Sequence, residues 1–139
     1  MTNLNYSIIV PTCNRQADLA RLIDSILRQT LLPAEVIIVD QSDSDDTKKY
    51  METCRNKLIT NSHNVNFIYI YQAKKSSVAA RNKGIDIATG EILSFLDDDV
   101  VLFEDYYEKV LRYFNDNKEL GGVGGKVIVK KFHSWGMKL

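Results

Sequence analysis

Short apolar runs alternate with one-sided apolar stretches along most of this chain. Residues 6–10 (YSIIV) form a β-rich run closed by Pro11, the pattern of a buried strand. Leu19, Leu22, Ile23, Ile26 and Leu27 then recur at the spacing of one helical face, with Asn14 as the expected N-cap and Pro33 beyond the end. Residues 36–39 (VIIV) predict a second buried strand, stopped by Asp40. A polar loop, residues 41–47 (QSDSDDT), leads into a helix expected over 45–57. Residues 65–71 (VNFIYIY) predict a third strand. Ser76 or Ser77 can cap a helix that runs through Ala88 and stops at Gly90. Residues 92–96 (ILSFL) predict a fourth strand, which runs straight into Asp97, Asp98 and Asp99. Tyr107, Val110, Leu111 and Phe114 mark a last amphipathic helix, ending near Gly121 and Gly122, and residues 123–129 suggest a fifth strand. Residues 130–139 have no readable period.

Strands alternating with helices predict an α/β fold: a mainly parallel sheet with helices on both faces. In such sheets ligands bind beyond the carboxyl ends of the strands. Four groups of residues should therefore share one edge. They are Pro11 to Arg15, Asp40 to Ser42, Gln72 to Lys75, and Asp97 to Asp99. Carboxylates, cations and hydroxyls together suit a phosphate ligand held partly through a divalent metal.

The three adjacent carboxylates are the sharpest feature. They repel one another unless something positive lies between them, and Mg²⁺ or Mn²⁺ is a natural partner. Alternation along an extended segment would turn Asp97 and Asp99 to one side and Asp98 to the other. The plainer reading is a solvated acidic turn. Arg81, in the helix after the third strand, could meet a diphosphate bidentately, or form only a surface salt bridge. Asp40 could accept a hydrogen bond from a base edge, or serve only as a turn residue. The glycines of GGVGGK at 121–126 lack P-loop spacing, and no G-x-G-x-x-G follows the first strand. They read as a helix stop and a close backbone approach. His63 and His133 have no partner at metal or triad spacing.

Composition narrows the classes. The 139 residues suffice for one domain with a core, and 45% hydrophobic with 26% charged residues is ordinary for a globular protein. Eighteen basic residues balance eighteen acidic ones, so no net field argues for nucleic acid or an acidic membrane. No apolar run approaches the roughly 20 residues of a membrane helix, and the N-terminus lacks a secretory pattern. Cys13 and Cys54 are too few for a disulfide framework or zinc site, and read as reduced thiols of a cytoplasmic protein.

In order, the segments SIIVPTCNR, EVIIVDQSDSDDT, SSVAARNKGIDIATGEILSFLDDDV and GGVGGKV resemble family 2 glycosyltransferases of the GT-A fold. The third is the most specific, joining the ARN-x-GI helix, the A-x-GE turn and the acidic strand end at fixed offsets. The resemblance covers nearly the whole chain and implies a Rossmann-like GT-A nucleotide-binding half over residues 1–139. It implies that Pro11, Thr12 and Arg15 wrap the nucleotide and that Asp40 contacts the base, usually uracil. Arg81 then lies near the diphosphate, Asp99 is the direct ligand of Mn²⁺ or Mg²⁺, and Asp97 sits near the ribose or the metal's waters. Asp98 completes the D-x-D type motif; Lys75 has no firm counterpart. The implied reaction moves a sugar from a nucleotide diphosphate sugar, a UDP-sugar foremost, to the hydroxyl of a saccharide, lipid or other acceptor, with inversion. The family's catalytic base is expected well downstream of the D-x-D motif. Only 40 residues follow Asp99, so the base is expected beyond residue 139, in an acceptor-binding part that this chain lacks. A cytoplasmic location follows, at the cytoplasmic face of a membrane if the longer protein is anchored.

Three rivals have distinct signatures. Asp97-x-Asp99 with Val101 resembles the nucleophile motif of haloacid-dehalogenase phosphatases, which would make Asp97 a covalent nucleophile. That motif normally begins its domain, whereas here it follows the fourth strand. A sugar nucleotidyltransferase would need a glycine-rich loop where PTCNR stands. A non-catalytic nucleotide-sugar-binding module would carry the same donor residues without a downstream base.

Overall fold

A computed structural model describes residues 4–61 and 64–129. His63, His133, Trp135 and the stretch from residue 130 onward lie outside the described residues. The elements are β1 (Tyr6–Thr12), α1 (Gln16–Leu27), β2 (Glu35–Asp40), α2 (Asp46–Asn61), β3 (Asn66–Tyr71), α3 (Ser77–Ile87), β4 (Ile92–Phe95) and α4 (Tyr106–Asp116). The four strands are all parallel, in the order β3-β2-β1-β4. Every residue of β2 is buried, as its unbroken apolar run predicts for a strand covered on both faces.

The described helices divide three to one. Leu19, Leu22 and Ile26 of α1, Met51 and Leu58 of α2, and Tyr107 and Leu111 of α4 pack on Tyr6, Ile8, Val10, Val36 and Ile38. On the other face Ala80 of α3 meets Ile9, Ile37 and Val39. Crossover handedness explains the split. The chain steps β1 to β2 to β3 in one direction, which puts α1 and α2 on one face. It then returns past β2 and β1 to β4, so α3 falls on the other. Gly84 lets α3 come close: a Cβ there would overlap Ile9 Cγ2. On the three-helix face, Tyr107 stacks on Tyr6 with ring centroids 4.3 Å apart and shares a 2.7 Å hydrogen bond with Ser94 of β4.

Several expectations are corrected. Pro11 does not close β1, which runs on through Thr12. Tyr6 and Thr12 carbonyls accept from the β2 side and the Ile9 carbonyl from Leu96 on the β4 side. Pro11 therefore faces β4's side, where β4 has already ended opposite Ile9, so its missing N–H leaves no ladder bond unmade. Asn14 is not the cap of α1. It sits in the left-handed region at φ 55°, the helix starts at Gln16, and Arg15 in the cap position makes no side-chain capping bond. Helix α3 does start as expected, with Ser76 Oγ accepting from the Ala79 N–H. It ends at Ile87 with Ala88 as its C-cap, however, and Gly90 instead brings the chain against Ser7, where a Cβ would strike backbone. Helix α4 ends at Asp116, before the glycines. Residues 123–129 form no strand: Val127, Ile128 and Val129 are exposed, because no neighbouring strand offers them a ladder. The described order is thus four strand–helix pairs without the fifth strand. No helix among the described residues is long and apolar enough to cross a membrane.

Candidate donor-binding site

Parallel pairing brings the four strand ends to one edge, and β1 lies between β2 and β4. The reversal of chain direction falls between β1 and β4, the place where an open α/β sheet leaves a crevice. The loop after β1 and the acidic turn after β4 meet there. Thr12 Oγ1 donates to Asp98 Oδ2 at 2.8 Å, and Arg15 Nη1 lies 3.2 Å from Asp98 Oδ1 and 3.5 Å from Asp99 Oδ2. The hydrogen bond that it donates to Asp98, then the charges of Asp98 and Asp99, hold the Arg15 guanidinium above its ordinary pKa.

The three carboxylates are not equivalent. Asp98 is turned in, with its side chain 8% exposed, while Asp97 and Asp99 are more than half exposed. That matches the expected alternation, but a turn produces it, with the Val100 N–H meeting the Asp97 carbonyl at 3.3 Å. Asp97 and Asp99 also part company in their partners. Asp97 Oδ1 takes Arg81 Nη2 at 3.0 Å, from α3, and Asp99 takes Arg15.

Asp40 is fully buried at the end of β2. Its Oδ1 accepts the Ser42 N–H at 3.0 Å and its Oδ2 the Tyr69 hydroxyl at 2.7 Å. Burial, then the bond to Asp40, push the Tyr69 phenol above its usual range. A base edge would therefore meet Asp40 alongside partners already in place.

A second cluster links three loops. Asn14 Nδ2 donates to Asp43 Oδ2 at 2.8 Å, the Asp43 N–H returns to Asn14 Oδ1 at 2.9 Å, and the Asn14 N–H donates to Ser42 Oγ at 2.8 Å. Lys75 Nζ approaches Asp43 at 2.7 Å. The hydrogen bond from Lys75, then that from Asn14, lower the Asp43 carboxyl, and the same Asp43 contact raises the Lys75 ammonium. Gln41 Oε1 accepts the Ser76 N–H at 2.5 Å, tying the end of β2 to the cap of α3. The left-handed Asn14 makes this possible: its short amide tolerates that conformation and turns both amide atoms onto Asp43.

All seven residues expected to bind substrate lie on this edge: Pro11, Thr12 and Arg15 after or within the end of β1, Asp40 on β2, Arg81 on α3, Asp97 and Asp98 after β4. Sequence reasoning missed Tyr69 and Asp43, and it placed Asn14 on this edge but gave it only a capping role. Tyr69 was findable by parity, since it is two residues from the strand end and on the same face as Tyr71. The Asn14–Asp43 pair needed the backbone, because 29 residues separate its members. A cleft of about 240 Å³ adjoins the β2 and β3 ends, lined by Ser42, Asp43, Ser44, Asp45, Lys48, Tyr69 and Tyr71. A larger one, about 570 Å³, lies between Arg28, Thr30 and residues 102–105 and contains none of these groups.

The conserved-domain description "Glycosyl transferase family 2" matches residues 7–138. The chain belongs to glycosyltransferase family 2. With it, the phosphatase and nucleotidyltransferase readings lapse. A relative from Campylobacter jejuni, named GalNAc(5)-diNAcBac-PP-undecaprenol beta-1,3-glucosyltransferase, is 31% identical over 125 residues, which is 90% of this chain and 38% of that protein. The fold matches S. aureus TarS residues 1–349 in complex with UDP, with TM-score 0.69 and 23% identity over 91% of this chain and 38% of that one. It also matches a mannosyltransferase from Pyrobaculum calidifontis in complex with GDP-Man and Mn²⁺, with TM-score 0.67 and 23% identity over 80% of this chain and 32% of that one. The chain thus spans well under half the length of these three proteins.

The donor set suits a hard cation: carboxylates, with Asp99 open to solvent. Among the described residues no group of three or more His, Cys, Asp or Glu side chains is placed to hold a metal ion. A metal here would draw most of its shell from water and phosphate, as Mg²⁺ commonly does.

Proposed function

We propose that this chain binds the donor of a glycosyltransferase reaction, a nucleotide diphosphate sugar, a UDP-sugar foremost, together with Mn²⁺ or Mg²⁺. The observation that carries the reading is the meeting of the β1 loop with the acidic turn at the β1–β4 switch, through Thr12, Arg15, Asp98 and Asp99. Asp99, open to solvent, is the proposed metal ligand, and Asp97 faces the ribose or the metal's waters. When bound, the metal would supply charge neutralisation for the departing diphosphate. Arg81, 36% exposed at the same turn, adds N–H donors to the phosphate oxygens. Asp40 accepts from the base, held in place by Tyr69 and Ser42. Pro11 and Thr12 shape the wall of the nucleotide slot.

In the complete reaction an acceptor hydroxyl displaces the nucleoside diphosphate in one step, with inversion at the anomeric carbon. A carboxylate takes the acceptor's proton. We assign that carboxylate, and the site for a saccharide or lipid acceptor, to sequence beyond residue 139. The relatives' greater length supports this assignment, as does the undecaprenol-linked compound in the Campylobacter relative's name.

Calorimetric titration with UDP tests the donor reading. Binding is expected with Mn²⁺, is expected to vanish with EDTA, and should weaken at least about tenfold, on the order of 1.4 kcal/mol, in Asp99→Ala. Equal UDP affinity with Mn²⁺ and with EDTA would exclude the metal-dependent reading.

A further inference from the structure

The acidic turn already carries its own positive charge. Asp97 is paired with Arg81, and Asp98 and Asp99 share Arg15. Three carboxylates thus face two guanidiniums, while Asp18, also near Arg15 at 3.7 Å, is engaged by Arg21. A bare divalent ion approaching Asp99 meets a guanidinium at the carboxylate it needs, and repulsion from two arginines. Its remaining ligands must come from elsewhere, because the described side chains provide no three-residue cage. A metal already bonded to a diphosphate has neither difficulty: the phosphates complete its shell and offset its charge.

The two Arg15 contacts differ in kind. Asp98 is buried and fixed by Thr12, so it is a durable anchor. Asp99 is half exposed and 3.5 Å away, so that contact is weak and readily exchanged. Asn14, clasped to Ser42 and Asp43, fixes where Arg15 leaves the backbone.

We propose that Arg15 is a positioning residue that stands in for the metal. It neutralises Asp98 and Asp99 in the free protein, holds bare divalent ions off, and yields Asp99 only to a metal that arrives with a nucleoside diphosphate. It stays anchored on Asp98 and turns its free nitrogens to phosphate. This rests on the metal-dependent donor reading above.

Mn²⁺ binding by the full chain tests it, read from the spectrum of free aqueous Mn²⁺ by electron paramagnetic resonance, with and without UDP. The wild-type chain should bind bare Mn²⁺ weakly and much more tightly with UDP, a coupling of about twentyfold or more. Arg15→Gln should bind bare Mn²⁺ about fivefold tighter than wild type and lose most of the coupling. Arg15→Lys, which keeps the charge, should remain near wild type on bare Mn²⁺. Circular dichroism confirms that each variant is folded; half of the Arg15 side chain is exposed, so its replacement leaves the core intact. Bare Mn²⁺ bound no tighter by Arg15→Gln than by wild type would overturn the proposal. The bare-metal comparison needs no nucleotide, so its failure is distinct from a failure of wild type to bind UDP, which would count against the donor reading instead.

Discussion

Glu35 lies at the start of β2, on the sheet edge opposite the proposed donor site, and is only 4% exposed. Its Oε1 accepts from Ser7 Oγ at 2.7 Å and from the Thr89 N–H at 2.6 Å, while the Gly90 N–H donates to Ser7 Oγ. Burial pushes its carboxyl up, but the bonds from Thr89 and Ser7 outweigh it, and the net position is below the ordinary value. A depressed folded-state pKa contributes stability that is present above the unfolded value, about 4.3, and lost as pH falls through the folded value. Glu35→Gln should therefore cost about 1–3 kcal/mol at neutral pH in denaturant unfolding, and the gap from wild type should narrow below about pH 4. A gap that widens on acidification would contradict the assignment. Nothing in the sequence marks Glu35 as special. Its role comes from a turn 54 residues away that delivers an N–H to it. Asp98 was legible as part of an acidic run, but its anchoring role was not, because burial by the β1 loop belongs to tertiary structure.

The elements were legible where apolar period decides them. β2 and α1 follow directly from a buried run and a one-sided face. Ends were less legible, since several depend on neighbours. Pro11 stays in β1 only because β4 stops short beside it, and Gly90 is a packing residue rather than a helix stop. The Val127–Val129 run has strand composition without a strand partner, which shows that β propensity needs a ladder to act. Among the described residues α3 is the helix that covers its face of the sheet, and it depends on Gly84 to seat against Ile9. Gly84→Ala should lower stability by about 1–3 kcal/mol through overpacking, despite the better helix propensity of alanine. A thermal midpoint unchanged or raised would show that Ile9 can yield.

At the scale of the molecule, the order of strands and helices predicted which residues would meet before any side chain was placed. The strand-end rule names one edge, and the β3-β2-β1-β4 order puts Arg15 beside Asp98 and Asp99 across the switch. It could not say how three loops would be clasped by Asn14, Asp43 and Lys75, because that depends on one left-handed residue. The proposed donor site lies on this edge rather than in the larger cleft at Arg28 and residues 102–105. Amide signals of the ¹⁵N-labelled chain, recorded with UDP and substoichiometric Mn²⁺, distinguish the two places. Paramagnetic broadening is expected to centre on residues 12–15, 40–43 and 97–99 and to be reversed by EDTA. Broadening centred instead on Arg28 and residues 102–105, or no UDP-dependent broadening in a folded sample, would contradict this placement.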